Sequence, residues 1–545
     1  MPTKKHPSTA PSGSDAYSRC LLLSLLAVMT VLAPAEAVGK DTNEGGTTPR
    51  LVVSILIDQL RSDYLEAFMP LYGDGGFRQF LADGRIYSQA DYPMARPDAA
   101  SAAATLSTGS APSAHGIVGR QWIERSTLRT VNCVDDATVK ASAGLTSQSS
   151  PARLGVSTLG DELKVASEGK ALVYAVAPSR ETAILSAGHA ADGAVWIDDS
   201  RGLWTTTTYY GSLPSWAAVR NSYHALPTAV QTTKWQPSSP LVGNFSYFLS
   251  GGMKKPFSHV FKGAQRFTDF KTSGLVNGEI ASTAIACLNG TMMGTDATPD
   301  LLAVTFYAGN FRHQQATAAP MELQDTYVRL DSALSSLVQA VDAKVGRENA
   351  LFVLTSTGYT DETTAPLSTY RIPSGTFDVQ RAAALLNMYL VAIYGQGNYV
   401  EACLGTQFYL SHSLLEQKQL KTAEVLERSQ DFLMQLEGVK DVYSSQRLLL
   451  GAWTPGISRI RAGYNAQASG DITIEVAAGW HYVNAQTHED QLVRESYISY
   501  PIIFLGAGTP AESIALPVTV DRIAPTLSKA MRIRAPNACS AAPLF

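Results

Sequence analysis

Leu51-Val-Val-Ser-Ile-Leu-Ile57 is a near-unbroken apolar run that stops at the carboxylate of Asp58. A strand with one wet face alternates apolar and polar residues. A run that is apolar on both faces belongs to a strand buried within a parallel sheet, and the polar residue marks its carboxyl end. Similar runs recur at 171–176, 301–306, 350–354 and 500–505, with helical patterns between them at 322–345 and 422–436. Strands alternating with helices predict an α/β fold: a mostly parallel sheet sandwiched by helices. Ligands of such sheets sit beyond the carboxyl ends of the strands, so the residues just after each run are the candidates for function.

The rest of the chain sets limits. It has 545 residues, 45% hydrophobic and 17% charged, with 47 acidic and 43 basic side chains and a formal net charge of −4. That is a globular composition, which excludes disorder, collagen and coiled coil at chain scale. No basic excess points to nucleic acid as a partner. Lys4, Lys5 and Arg19 precede an apolar stretch over 20–33, followed by Ala35-Glu36-Ala37. This predicts a signal peptide over 1–37 and a polar, flexible leader over 38–49. No later stretch is long and apolar enough to span a bilayer. The expected protein is exported: periplasmic, outer-membrane-associated or extracellular. Cys133, Cys287, Cys403 and Cys539 remain after cleavage. None forms a C-x-x-C pair, and isolated buried thiols and two disulfides are both open readings. Residues 195–250 read as irregular or β-rich, and 375–470 as a helical stretch followed by a mixed segment. Both look like insertions on one core.

Several motifs then fall in a familiar order. They are Ile57-Asp-Gln59 with Arg61, Asp63 and Tyr64; Tyr72-Gly-Asp-Gly-Gly-Phe77; Ser107-Thr-Gly109; Ala114-His-Gly-Ile117; Gly160-Asp-Glu-Leu-Lys164; and Ala187-Gly-His-Ala-Ala-Asp192. Thr208-Tyr-Tyr210, Asp325-Thr-Tyr-Val-Arg-Leu-Asp331, Tyr394-Gly-Gln-Gly-Asn398, Gln430-Asp-Phe-Leu433, Arg522-Ile-Ala-Pro-Thr-Leu527 and Pro536-Asn-Ala-Cys539 continue it. The series resembles the alkaline phosphatase superfamily, in its bacterial phosphate-monoesterase and type I phosphodiesterase/nucleotide pyrophosphatase branch. The resemblance implies one large α/β domain over 50–545 with inserted cap segments, although length alone would suggest three or four domains.

It also implies two zinc ions flanking an in-line displacement, with a Thr or Ser nucleophile. Carried over position by position, that pattern is broken. Asp58 matches the first ligand. The nucleophile position holds Ala99, which has no hydroxyl to form a phospho-enzyme. His313 matches a downstream ligand, but its aspartate partner is replaced by Gly309, with Asn310 adjacent. An Asp-His pair is replaced by Thr357 and Gly358, and the last histidine by Ser499. His481, His488 and Asp490 are near in sequence but out of position. A Lys-x-Arg substrate clamp is replaced by Ser179 and Glu181, with Arg180 between them to compensate in part. A phosphate-contacting Asn is replaced by Arg120. Only Asp58 and His313 survive as ligands, too few to hold zinc against water.

Two classes of function therefore stay open. One is a non-catalytic protein that binds or scaffolds at the cell envelope, with a protein or glycan partner and no metal or other cofactor. The alternative is a metal-dependent phosphoric-ester hydrolase, or another hydrolase with a site rebuilt from Asp58, Asp98, Ser101, Arg120, Arg180, His313 and His488, in which a Ser/His/Asp set is conceivable. His189 and Asp192 are expected to serve packing or hydrogen bonding. The aromatic residues over 204–216 are expected to close an insertion over the core.

Overall fold

The computed structural model describes residues 48–141, 148–243, 256–314, 318–358, 373–451, 455–484, 489–492 and 499–545. The signal peptide, nearly all of the leader, and His488 lie outside them. Fifteen strands carry the description: β1 (Leu51–Asp58), β2 (Arg85–Asp91), β3 (Gln121–Glu124), β4 (Arg129–Asn132), β5 (Val173–Ala177), β6 (Gly193–Ile197), β7 (Trp204–Thr205), β8 (Asp300–Tyr307), β9 (Ala350–Ser356), β10 (Val400–Leu404), β11 (Gln407–Leu410), β12 (Val439–Ser444), β13 (Ile472–Val476), β14 (Tyr500–Gly506) and β15 (Glu512–Ile514). The helices used below are α1 (Ala99–Thr108), α2 (Arg180–Ala187), α3 (Leu275–Gly290), α4 (Pro320–Val345), α5 (Val379–Tyr394) and α6 (Thr422–Leu433).

The main sheet has 10 strands and runs β15-β2-β14-β9-β1-β8-β5-β6-β7, with a short strand at Val518–Thr519 also paired to β2. β1 lies parallel between β8 and β9, in register at Ile57 with Phe306 on one side and Ser356 on the other. Its apolar run divides by parity. Val53, Ile55 and Ile57 enter one core cluster, while Val52 and Leu56 enter the other. This is why the strand tolerates almost no polar residue before Asp58. The fold is α/β with a mostly parallel sheet flanked by helices.

Two details differ from the sequence reading. The run at 500–505 forms β14, but antiparallel to both β9 and β2. A strand buried on both faces carries no signal for its direction, which depends on the path the chain takes to reach it. The reversal has a consequence for the site: Ser499, at the amino end of β14, arrives at the same edge as the carboxyl ends of β1 and β9. Among the described residues from 198 to 243, after β6, the chain folds into the helices Ser215–Tyr223 and Leu226–Thr232, with strands of only two residues. Prolines begin both helices, and Trp216 packs its Cβ against Gly290 of α3, so tertiary contact overrides the strand preference of the aromatic and Thr residues. Trp204 and Trp216 are buried, and Trp204 Nε1 donates to Glu279 at 2.8 Å, which closes this segment over the core.

α4 explains one of the motifs. Asp331 accepts the N–H groups of Gly73 at 2.9 Å and Phe77 at 2.7 Å, pinning the loop that enters the next helix. A Cβ on Gly76 would lie 2.2 Å from Asp331 Oδ1, so only glycine lets the backbone come this close. The cap runs past the expected boundary at 470: its four-stranded sheet, β10-β11-β13-β12, takes in β13 at Ile472–Val476, and a separate apolar cluster under α5 and α6 reaches Tyr482. Cys133, Cys287, Cys403 and Cys539 are all free thiols, and the first three are buried.

Candidate functional site

The candidate positions converge on one edge of the main sheet. β1 delivers Asp58, β9 delivers Thr357 and Gly358, β8 delivers Gly309, and the loop after β2 delivers Asp98 at the head of α1. Pro97 packs beside Gly358, 3.4 Å from where a Cβ would stand. The Ser62 hydroxyl donates to the Ser499 carbonyl, tying the start of β14 to the loop after β1. The positions carried over from the family pattern are therefore neighbours in space, and what stands at each decides the chemistry.

Asp58 is tied to its neighbour on the next strand. The Thr357 hydroxyl donates to Asp58 Oδ1 at 2.7 Å and accepts the Gln59 N–H at 3.0 Å. Burial pushes the Asp58 carboxyl up to about 6, against the pull of the Thr357 bond and with a smaller push from Asp98. Thr357, at a position to which the resemblance assigns a ligand, thus makes a hydrogen bond there. Gly358 has φ of 89°, a backbone state that strains any residue with a Cβ. At Gly309 the space for a side chain is already taken. A Cβ would meet the Tyr307 hydroxyl at 2.7 Å and Gln59 Oε1 at 2.8 Å. That hydroxyl donates to the Asn310 carbonyl at 2.7 Å. His313 sits with φ of 53°, and the protein around it, followed by the Arg120 guanidinium, holds its imidazole below the ordinary value.

The head of α1 carries a methyl group at Ala99, where the resemblance implies a nucleophile. Asp98 is the N-cap. Its Oδ1 accepts the Ser101 N–H and the Ser101 hydroxyl, each at 2.8 Å, and its Oδ2 accepts the Arg120 N–H at 2.5 Å. Ser101 Oγ in turn accepts the Asp98 N–H at 3.0 Å, completing a capping box. Asp98 and Ser101 therefore close a helix end and orient one another. The described hydrogen bonds bring no imidazole to Ser101, and His488, a candidate for the Ser/His/Asp set, lies outside the described residues.

The positions to which the resemblance assigns phosphate-contacting groups are joined to one another. Glu181, buried on α2, accepts from Arg120 Nε at 3.1 Å and from Asn132 Nδ2 at 2.7 Å, with Arg180 Nε at 3.7 Å. Burial pushes this carboxyl up, but Arg120 and then Arg180 outweigh it and hold it below the usual carboxylate range. Arg180 is not left to compensate for the missing clamp. It also pairs with Asp135 at 2.9 Å and donates to the Ser149 hydroxyl at 2.9 Å. Sequence reasoning noted both changed positions, 120 and 181, but not that they meet. The available signal was a positive charge at one position and a negative charge at another to which the resemblance assigns phosphate contacts.

His189 and Asp192 lie apart from this centre. His189 Nδ1 and N–H donate to Asp161 at 2.9 Å and 2.7 Å, and Nε2 reaches the Leu154 carbonyl at 3.0 Å. Asp192 pairs with Lys164 at 2.7 Å and accepts the Val173 N–H at 2.8 Å. Both tie the helix at Leu159–Ala166 to the sheet. His481 is on the cap strand His481–Asn484, and the side chain of Asp490 lies outside the described residues.

Two zinc ions do not fit the donors described. No group of three or more His, Cys, Asp or Glu side chains among the described residues is placed to hold a metal ion. Of the two matched ligand positions, Asp58 is bonded to Thr357, and His313 lies within the electrostatic influence of Arg120.

A family model described as type I phosphodiesterase / nucleotide pyrophosphatase matches residues 52–498. Alkaline phosphatase PafA of Elizabethkingia meningoseptica is 28% identical over 540 residues, covering 95% of this chain and 98% of that protein. Alkaline phosphatase PhoV of Synechococcus elongatus is 28% identical over 510 residues, covering 90% and 91%. The crystal structure of wild-type PafA superposes with a TM-score of 0.79 at 27% identity, over 91% of this chain and 98% of that one.

Proposed function

The chain belongs to the type I phosphodiesterase / nucleotide pyrophosphatase family of phosphoric-ester hydrolases, and from that premise we propose that it is a member that binds rather than turns over. Its task is to recognise a protein or glycan at the cell envelope, with the old centre kept as framework. The observation that carries this reading is the Arg120–Glu181 pair. A phosphate monoester is a dianion, and it would have to enter beside the Glu181 carboxylate and compete with it for both arginines. A methyl group stands where the attacking hydroxyl belongs, and two scattered donors stand where two ions would need about three or four ligands each. Export rests on the charged, apolar and small-residue pattern of 1–37.

A second reading has specific support. PafA and PhoV are named alkaline phosphatases, and relationship by itself favours a hydrolase. Asp58, raised to about 6, is also poised for proton transfer near neutral pH. One experiment separates the two: metal analysis of the purified mature protein, paired with a phosphate-monoester assay. The binding reading expects no stoichiometric zinc and no turnover above a heat-treated control. Stoichiometric metal, with turnover abolished by Asp58→Ala, would establish the hydrolase instead.

A further inference from the structure

In the cap sheet, β10 is an edge strand. A groove of about 530 Å³ runs along it, a volume within the range of small-ligand pockets. Every residue of Val400–Leu404 lines that groove. A strand that offers a face contributes every second residue, because successive side chains point to opposite sides. A consecutive run is what a strand contributes when its backbone edge is the wall. The other walls are the β3–β4 hairpin, through Ile123, Leu128 and Thr130, and α5, through Ala384 and Asn387.

One end of this edge is closed. Asn387 Oδ1 accepts the N–H groups of Tyr399 at 2.7 Å and Val400 at 3.2 Å, and the ladder to β11 slips register between Val400 and Ala402. Bulges and side-chain caps of this kind protect sheet edges from pairing. Beyond the slip, 402–404 pair regularly with β11. The charge of the groove is also selective. Glu401 is the one charged side chain in its described lining, so an anionic group would meet no counter-charge there. An edge of extended backbone, walls with apolar and amide side chains, and a single carboxylate define the occupant by its chemistry.

We propose that β10 binds an extended, neutral-to-basic peptide segment of a partner protein by strand addition, pairing along 402–404 with a basic side chain set against Glu401. This goes beyond the reading of the phosphatase-like centre and does not depend on it, because the groove lies in the cap and uses none of the residues at Asp58, Ala99 or Glu181.

The test uses the full mature chain and capped pentapeptides: acetyl-Thr-Val-Lys-Val-Thr-amide, its central-Glu counterpart, and a version of the first that is N-methylated at alternate amides. The Lys peptide should bind with a Kd below about 1 mM. The Glu peptide and the N-methylated peptide should each bind at least about tenfold more weakly. Hydrogen exchange of Val400–Leu404 should slow when the Lys peptide is saturating. Ala384→Trp, at an exposed helix position, should fill the groove and weaken binding by at least about tenfold, and Glu401→Lys should reverse the preference between the Lys and Glu peptides. The peptide comparison needs no variant, so a misfolded mutant cannot decide it. Equal binding of the N-methylated peptide would overturn strand addition. Binding of maltotetraose in place of every peptide would assign the groove to a saccharide and overturn the proposal, as would failure of all the peptides to bind. Phosphatase activity, measured in parallel, reports on the other site alone.

Discussion

Glu181→Gln removes one negative charge from the Arg120–Glu181–Arg180 cluster and leaves its shape. Breaking a buried pair costs about 3–5 kcal/mol when a charge is stranded in the interior. Here the stranding is incomplete. The Arg120 side chain is 66% exposed and can hydrate, and Arg180 keeps Asp135 at 2.9 Å. Glutamine Oε1 can still accept from Asn132. What is lost is the charge-assisted part of the arginine contacts, about 2 kcal/mol. Thermal unfolding at pH 7 should show a Tm lower by a few degrees. The pH dependence gives a sharper check. Glu181 is held below its unfolded value of 4.5, so its stabilisation is fully present above that pH and fades as pH falls through the lower folded value. The gap between wild type and variant should be widest at neutral pH and close in acid. The same change leaves the Arg120 guanidinium without its carboxylate, and orthophosphate measured by calorimetry should bind the variant at least about tenfold more tightly than wild type. A Tm gap that does not change with pH, or wild type that binds orthophosphate as tightly as the variant, would refute the idea that Glu181 has taken the anion's place.

Further predictions concern the strand ends and a buried histidine. Asp58 titrates above its unfolded 3.8, at about 6, so the fold prefers its neutral form and loses stability as pH climbs through that interval. Asp58→Asn should match wild type near pH 4 and melt higher at pH 8, by at most about 3 kcal/mol; an equal gain at both pH values would show that Asp58 does not titrate there. Gly309→Asp should destabilise by about 1–3 kcal/mol, because its Cβ lands on the Tyr307 hydroxyl and Gln59. Equilibrium dialysis should find no zinc recruited by that change alone, and tight zinc uptake would mean that the remaining donors are already in place. His115, buried between Thr105 and the Ile117 N–H, is pushed down to about 3 by burial. Its contribution is complete above the unfolded 6.5 and is lost as pH falls towards 3, so His115→Gln should flatten the acid limb of a Tm-against-pH curve. An unchanged limb would place acid sensitivity elsewhere.

Much of the fold was legible because burial on both faces leaves a plain mark. β1, β8 and β9 could be located from their runs, and Asp58 from the polar residue that ends the first. Strand direction left no such mark, which is why β14 was read as parallel. The reading of 195–250 as irregular or β-rich misses its two helices, because its aromatic and β-branched residues favour strands in isolation, while packing of Trp216 on α3 sets the outcome. At the site, the gaps in the pattern that the resemblance implies, at Ala99, Gly309, Thr357, Gly358 and Ser499, are visible because recognisable motifs flank them. What fills the gaps was not. The Tyr307 hydroxyl occupies the room beside Gly309, and Arg120 meets Glu181 across 61 residues of chain. Contacts of that span depend on the folded path, and no local pattern encodes them.

The tie between Asp58 and Thr357 joins two adjacent strand ends with atoms that the chain itself provides. Asp98 does the same for the head of α1 and the Arg120 backbone. Each is assembled by the act of folding and asks for nothing from the surrounding medium. On the binding reading, these links should close at the same rate in a chelator bath as in zinc-rich broth, and slower closure in chelator would show that this edge of the molecule needs an ion to mature.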